Sequence, residues 1–373
     1  MMQDDIPWSR PEVGDDELNA IAAAFRDDWL TMGPRVARFE QAMAKRMQVE
    51  HAVAVSSGSV ALDIALKVLG VGPGDEVIVP AITYFATAAA VSRVGATAVF
   101  VDVDSRNLNL NPQLILEAIS PRTKGLVYID YGGLPADSQR IMDLADQLGL
   151  FALQDAAHSL GGRYLGAPLG SQAGISTMSF HMAKTMTTIE GGMIFTHHKA
   201  HADAMRVYRN QGESGKYLHA RLGYNARMND IMAAVGLTQL EKLDRFLEGR
   251  RRVSNEYQRH FDAVGIDTLN NPVADSDAAH FLYTILIDDR DQVARELKSQ
   301  GIDTRICYPM PLYRQEVYAD GHAPCRALPC PVSESVSQRV LNLPLFPSMS
   351  QAQIERVVLA VERQHRQRLV SGL

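Results

Sequence analysis

The chain has 373 residues, is 46% hydrophobic and 21% charged, and carries 37 Lys+Arg against 43 Asp+Glu for a formal net charge of −6. Those proportions fit a globular protein with room for two domains, and they exclude a disordered or fibrous chain. With no basic run there is no general footprint for nucleic acid or an anionic membrane. Three cysteines, Cys307, Cys325 and Cys330, are too few and odd in number for a disulfide framework.

Met1-Met2-Gln3-Asp4-Asp5 is acidic and lacks an apolar leader, so a cytoplasmic protein is expected. His51–Val55 reads as a strand and Ser59–Leu69 as a helix. Gly72-Pro73-Gly74-Asp75 makes a turn into a strand at Glu76–Val79. Thr87–Val94 reads as a helix and Ala96–Val101 as a strand. Val77–Val101 is the most apolar stretch, but Pro80, Thr83, Tyr84 and Arg93 interrupt it, which marks buried core rather than a membrane span. Lys124–Ile129 is a strand, Asp137–Leu148 a helix, Phe151–Gln154 a strand, and Met193–Thr196 strand-like. This alternation predicts βαβ units in a largely parallel sheet with helices on both faces.

The pattern changes at Arg227–Leu247, whose apolar residues fall at helical spacing. The helix continues from Arg250 to about Phe261, with Gly249 as a weak point or kink. A strand at Phe281–Ile287, a helix at Asp291–Ser299, a strand near Thr304–Cys307 and a helix at Gln351–Gln367 follow. The expected fold is therefore α/β: residues 15–245 as a large domain, and 246–373, joined by 1–14, as a smaller α+β domain.

In open α/β sheets, ligands sit beyond the carboxyl ends of the strands. Ser56-Ser57-Gly58-Ser59 follows the first strand and opens a helix, where free N–H groups and hydroxyls suit an anion. The same text also serves as an ordinary serine N-cap. It contains neither a Walker A lysine nor Gly-x-Gly-x-x-Gly. Asp155-Ala156-Ala157-His158 places a carboxylate at a strand end, which fits a cleft group and an N-cap equally well. Ser179-Phe180-His181-Met182-Ala183-Lys184, running on to Glu190-Gly191-Gly192, sets a lysine among apolar neighbours. Most lysines are merely exposed, but one in such a pocket can form a Schiff base. A phosphate cradle, a strand-end Asp and a later pocket Lys are together what pyridoxal phosphate requires. No His/Cys cluster with zinc spacing accompanies Cys325 and Cys330, so no metal is expected and the cysteines read as reduced thiols outside the chemistry.

Nearly the whole chain resembles the DegT/DnrJ/StrS sugar aminotransferases, within the fold type I pyridoxal-phosphate enzymes. The resemblance runs from Leu30-Thr31-Met32-Gly33-Pro34 and Phe39-Glu40 through Val55–Leu62, Gly72–Ile78, Tyr131–Asp137, Asp155–His158 and Ser179–Gly192. It continues through Gly223–Met228, Ala233-Ala234 and Gln239-Leu240 to Leu341-Asn342-Leu343-Pro344. It implies that Lys184 holds the cofactor and moves the proton, and that Asp155 partners the pyridine nitrogen. Tyr84 would stack on the ring, and Gly58, Ser59 and Ser179 would contact the phosphate. His158 would lie near the cofactor. Asn225 would reach the phosphate of a neighbouring subunit, which implies a homodimer with shared active sites. Arg227 would lie close by and could meet a substrate anion or form a structural ion pair.

The implied reaction moves an amino group from L-glutamate to a keto sugar, a nucleotide-linked 4-keto-6-deoxy hexose aminated at C4 or C3. A keto-cyclitol or aminoshikimate-type acceptor, a dehydratase or lyase reaction, and a non-enzymatic binding module are the alternatives. Family members that dehydrate have His in place of the lysine, and Lys184 argues against that subset. Gln154 stands where Glu usually precedes the Asp, Asp130-Tyr131-Gly132-Gly133 replaces the frequent His-Leu-Tyr-Gly, and Ser59 replaces the commoner Thr. Tyr313 stands where many relatives have His; it and the 130–133 segment bear on substrate choice.

Overall fold

The computed structural model describes residues 5–27 and 29–371; the N-terminal reading on Met1–Asp4 lies outside them. An eight-stranded sheet runs in the order His51–Val55, Gly192–Thr196, Ile175–Ser179, Phe151–Asp155, Thr123–Ile129, Glu76–Pro80, Thr97–Val101, Cys325–Ala327. Gly192–Thr196 is antiparallel to both neighbours, and every other pairing is parallel. The architecture is mixed α/β, with a large, mostly parallel sheet flanked by helices.

Side chains alternate across a strand, and here both faces are covered. Val53, Val55, Val77, Val79 and Phe100 pack with the helices Gly58–Val68, Phe85–Arg93 and Lys199–Arg209. On the opposite face Ala52, Ala54 and Met193 meet the helix Pro34–Met47, while Ile78, Val99 and Leu126 meet Ser138–Gln147. Near-continuous apolar strands are the consequence, which is why the strands expected near 51, 76, 96, 124, 151 and 193 all form. Their ends move by at most one residue.

A second core gathers Val253, Tyr257, Phe261, Tyr283, Ile285, Leu341 and Val357 around Ile6. One helix, Asp230–Val264, serves both cores: Ala233 and Leu243 belong to the sheet side, Val253 and Phe261 to the second core. The expected kink at Gly249 is absent, since the helix is continuous through it. Gly249 is instead a contact position, because a Cβ there would meet the Pro347 carbonyl oxygen at 2.6 Å.

The strand expected near Thr304–Cys307 does not form. Arg305 and Asn342 exchange one pair of backbone hydrogen bonds. The next donor, Cys307 N–H, goes to the side-chain Oδ1 of Asn342 at 2.8 Å, so the ladder stops. The strand expected at Phe281–Ile287 contracts to Tyr283–Leu286, because Phe281 and Leu282 donate their N–H groups to the Gly132 carbonyl instead. That tie carries Phe281 toward the carboxyl ends of the sheet.

Candidate active site

A cavity of about 450 Å³ opens at those strand ends. Gly58, Ser59, Tyr84, Asp155, His158, Ser179 and Lys184 all line it, although they come from four separate stretches of chain. A larger groove of about 1110 Å³ lies between the helices Pro34–Met47 and Asp230–Val264 and contains none of these residues.

The cradle follows from local geometry. The helix Gly58–Val68 begins directly after the first strand, and Ser57 caps it by accepting from Val60 N–H at 3.3 Å. That leaves the earlier N–H groups and the Ser59 hydroxyl at the cavity wall, where the helix dipole favours an anion. Gly58 packs against Ser179 so closely that a Cβ would sit 2.8 Å from the serine Cβ.

Asp155 ends its strand with its carboxylate held from behind. Thr87 Oγ1 donates to Oδ2 at 2.8 Å, and Ala157 N–H donates to Oδ1 at 3.2 Å. Burial raises its pKa, opposed by the Thr87 hydrogen bond and the charge of Lys184. His158 receives Gly132 N–H at Nδ1 (3.3 Å) and stacks on Phe281 with ring centroids 4.2 Å apart. Burial, helped by the nearby Lys184 charge, holds its pKa well below the usual histidine value, so it stays neutral at pH 7.

Lys184 stands on the loop between the strands Ile175–Ser179 and Gly192–Thr196. Its surface is half-buried because it faces the cavity, yet protein crowds its amine, with Nζ 4.6 Å from the Phe281 ring centroid. Desolvation pushes its pKa down to about 8, against the opposing pull of Asp155 and Cys307. Roughly a tenth of such an amine is unprotonated at pH 7, far more than of an ordinary lysine.

Tyr84 is 58% exposed and presents its ring at the cavity mouth, 6.2 Å from the Tyr308 ring between centroids. Asn225 is exposed and lies outside its own chain's cavity. Arg227 is also outside it, donating to Asn210 Oδ1 at 2.7 Å. Tyr313 faces elsewhere: it packs on Phe100 and donates to Glu334 at 2.6 Å.

Sequence reasoning missed Thr87 behind Asp155, and Trp8, Phe281, Cys307 and Tyr308 on the far wall. None of these carries a local motif. The three cysteines are free thiols, but Cys307 is not remote from the site as expected: it lines the cavity, with burial pushing its pKa up to about 11.

Asp130, in the layer behind, accepts from Ala136 N–H at 2.9 Å, Gln154 Nε2 at 2.8 Å and the Ser159 hydroxyl. Burial pushes this carboxyl up to about 6, and the Asp155 charge adds to the shift.

The residues fit pyridoxal phosphate: donors for a dianion, a buried carboxylate for a ring nitrogen, an aromatic face, and a desolvated amine in one enclosure. The family model of the DegT/DnrJ/EryC1/StrS aminotransferases matches residues 11–362. Among solved structures, S. venezuelae DesV in complex with a ketimine intermediate is 35% identical, with a TM-score of 0.89 and coverage of 93% of this chain and 94% of that one. DesI in the presence of its TDP-sugar product is 29% identical, with a TM-score of 0.91 and coverage of 100% and 96%. Spr1654 from Streptococcus pneumoniae in its PLP form is 26% identical, with a TM-score of 0.90 and coverage of 96% and 98%.

For Lys184 to take up pyridoxal phosphate, its amine would have to be neutral. The rate at which apoprotein captures pyridoxal phosphate should therefore rise with pH through a midpoint at about 8. Stopped-flow absorbance across pH 6–11 checks this, and a midpoint near the ordinary 10.5 would contradict it.

Proposed function

The chain belongs to the DegT/DnrJ/EryC1/StrS aminotransferase family and is a pyridoxal-phosphate-dependent sugar aminotransferase; from that premise we propose that it transfers the amino group of L-glutamate to a nucleotide-linked 4-keto-6-deoxy hexose, at C4 or C3, by ping-pong transamination. The observation that carries the assignment of roles is the convergence of Lys184, Asp155, His158, Tyr84, Gly58, Ser59 and Ser179 on one cavity. The TDP-sugar product of the DesI structure supports the nucleotide-linked acceptor.

When bound, pyridoxal phosphate supplies the carbonyl carbon that exchanges with the amino group and a ring that takes up the electron pair left on the substrate carbon. The chain does the rest. The helix N-terminus at Gly58, with the hydroxyls of Ser59 and Ser179, holds the phosphate. Asp155, fixed by Thr87 and Ala157, keeps the ring nitrogen's proton in place. Tyr84 covers a ring face at the mouth. His158 stays neutral and braces the wall through Phe281. Lys184 Nζ can take up and give back a proton near neutral pH, so it would serve as base and then as acid within each half-reaction.

A homodimer follows from the same reading. Asn225 is exposed and points its role away from its own cavity. Close by in sequence, Tyr217, Leu218 and Leu222 expose 80%, 67% and 96% of their surface, an apolar cluster suited to burial against a second copy.

Two outcomes test these statements. Protein loaded with pyridoxal phosphate should show a near-visible absorption band that L-glutamate bleaches, and Lys184→Ala should lose the band. Wild-type protein that holds no cofactor would sink the reading. Mixing inactive Lys184→Ala with an impaired Asn225→Ala variant, after subunit exchange, should restore about a quarter of wild-type activity, since half the dimers are mixed and each carries one intact site. Activity equal to the average of the two homodimers would show that Asn225 serves its own chain.

A further inference from the structure

Asp130 is fully buried, does not line the cavity, and has no role in the chemistry described above. A carboxylate in such a place is expensive unless its oxygens are satisfied. Its partners are informative. Gln154, which donates to it, immediately precedes Asp155. Ser159, which also donates to it, immediately follows His158. Ala136 N–H, the third donor, belongs to the loop that also supplies Gly132 N–H to His158 Nδ1. One side chain therefore grips both shoulders of the segment 155–158, and that segment places two groups on the cavity wall.

We propose that Asp130 is a positioning residue of the reaction: by holding Gln154 on one side and Ser159 on the other, its carboxylate fixes where Asp155 and His158 meet the cofactor. This rests on the reading of Asp155 as the ring-nitrogen partner.

The identity of residue 154 agrees with a carboxylate at 130. Gln154 is fully buried and uses only its amide N–H; its Oε1 finds no hydrogen-bond partner among the described residues. A glutamate there would donate nothing when ionised and would set two carboxylates against each other. The buried pair thus needs one acid and one amide.

The test compares Asp130→Asn, Gln154→Glu and the double variant as cofactor-loaded protein, in which acid and amide trade places and the donor–acceptor bond survives. Asp130→Asn and Gln154→Glu should each lower kcat roughly tenfold or more, with the KM for L-glutamate within about twofold, because small misplacements of a reacting group are costly. Each should also shift the near-visible band and weaken pyridoxal phosphate binding to the apoprotein. The double variant should recover most of kcat, the band and the binding. Should Asp130→Asn fail to fold, Gln154→Glu against the double variant decides the matter by the same readouts.

A bare brace would give a different result: melting temperature and activity falling together, with the spectrum unchanged and no recovery in the double variant. That outcome, or Asp130→Asn matching wild type in kcat and spectrum, overturns the proposal while wild-type protein still answers to L-glutamate. Wild-type protein that does not answer overturns the underlying reading as well.

Discussion

The structure depends on keeping one amine out of bulk water without losing it to a fixed ion pair. Desolvation alone would drive Lys184 toward the neutral form, and the nearby Asp155 carboxylate opposes it, so the balance falls at about 8. A lysine clamped directly to a carboxylate would stay charged and inert, whereas one in open solvent would keep its ordinary proton affinity. The apolar face of Phe281 beneath Nζ allows the intermediate state. Phe281 in turn is held by backbone hydrogen bonds to Gly132 and by stacking on His158. The wall that desolvates the amine and the wall that carries His158 are thus one packed unit.

The large sheet makes this possible by ending several strands at the same level. Asp155, Ser179 and the cradle after Val55 all sit at that edge, supported by strands covered on both faces. A rigid base of this kind can place catalytic groups to within fractions of an ångström. The far wall is contributed differently. Phe281, Cys307 and Tyr308 come from chain beyond the long helix Asp230–Val264 and are tied by few contacts: Phe281 to the Gly132 carbonyl and the His158 ring, Cys307 to Asn342 and the Tyr131 hydroxyl. The cavity is therefore walled by chain from both sides of the long helix.

This division explains what could be read in the sequence. The sheet was legible because burial on both faces demands uninterrupted apolar runs such as residues 77–80 and 98–101. Asp155 and Lys184 stood out as charges set among apolar or small residues. The helix Pro34–Met47 was not legible as such, because its N-terminal N–H groups, at Gly33, Arg35 and Val36, are capped by Asp230 from the distant long helix. Cys325–Ala327 joins the sheet as a three-residue edge strand with no apolar run to announce it. The Gly249 expectation erred because a helical glycine signals either a kink or a close approach, and only tertiary packing against Pro347 decides which. Cys307, Tyr308 and Phe281 belong to the cavity by topology, which no local pattern encodes.

Gathered in one cavity, these groups suit the passage of nitrogen from an amino acid to a sugar. The most direct measurement supplies the loaded protein with ¹⁵N-labelled L-glutamate and a nucleotide-linked 4-keto-6-deoxy hexose, then weighs the sugar product by mass spectrometry and counts the 2-oxoglutarate formed. The expected product is an amino sugar carrying the label, one for each 2-oxoglutarate. Unlabelled sugar, or release of ammonia or water without matching consumption of the donor, would contradict it.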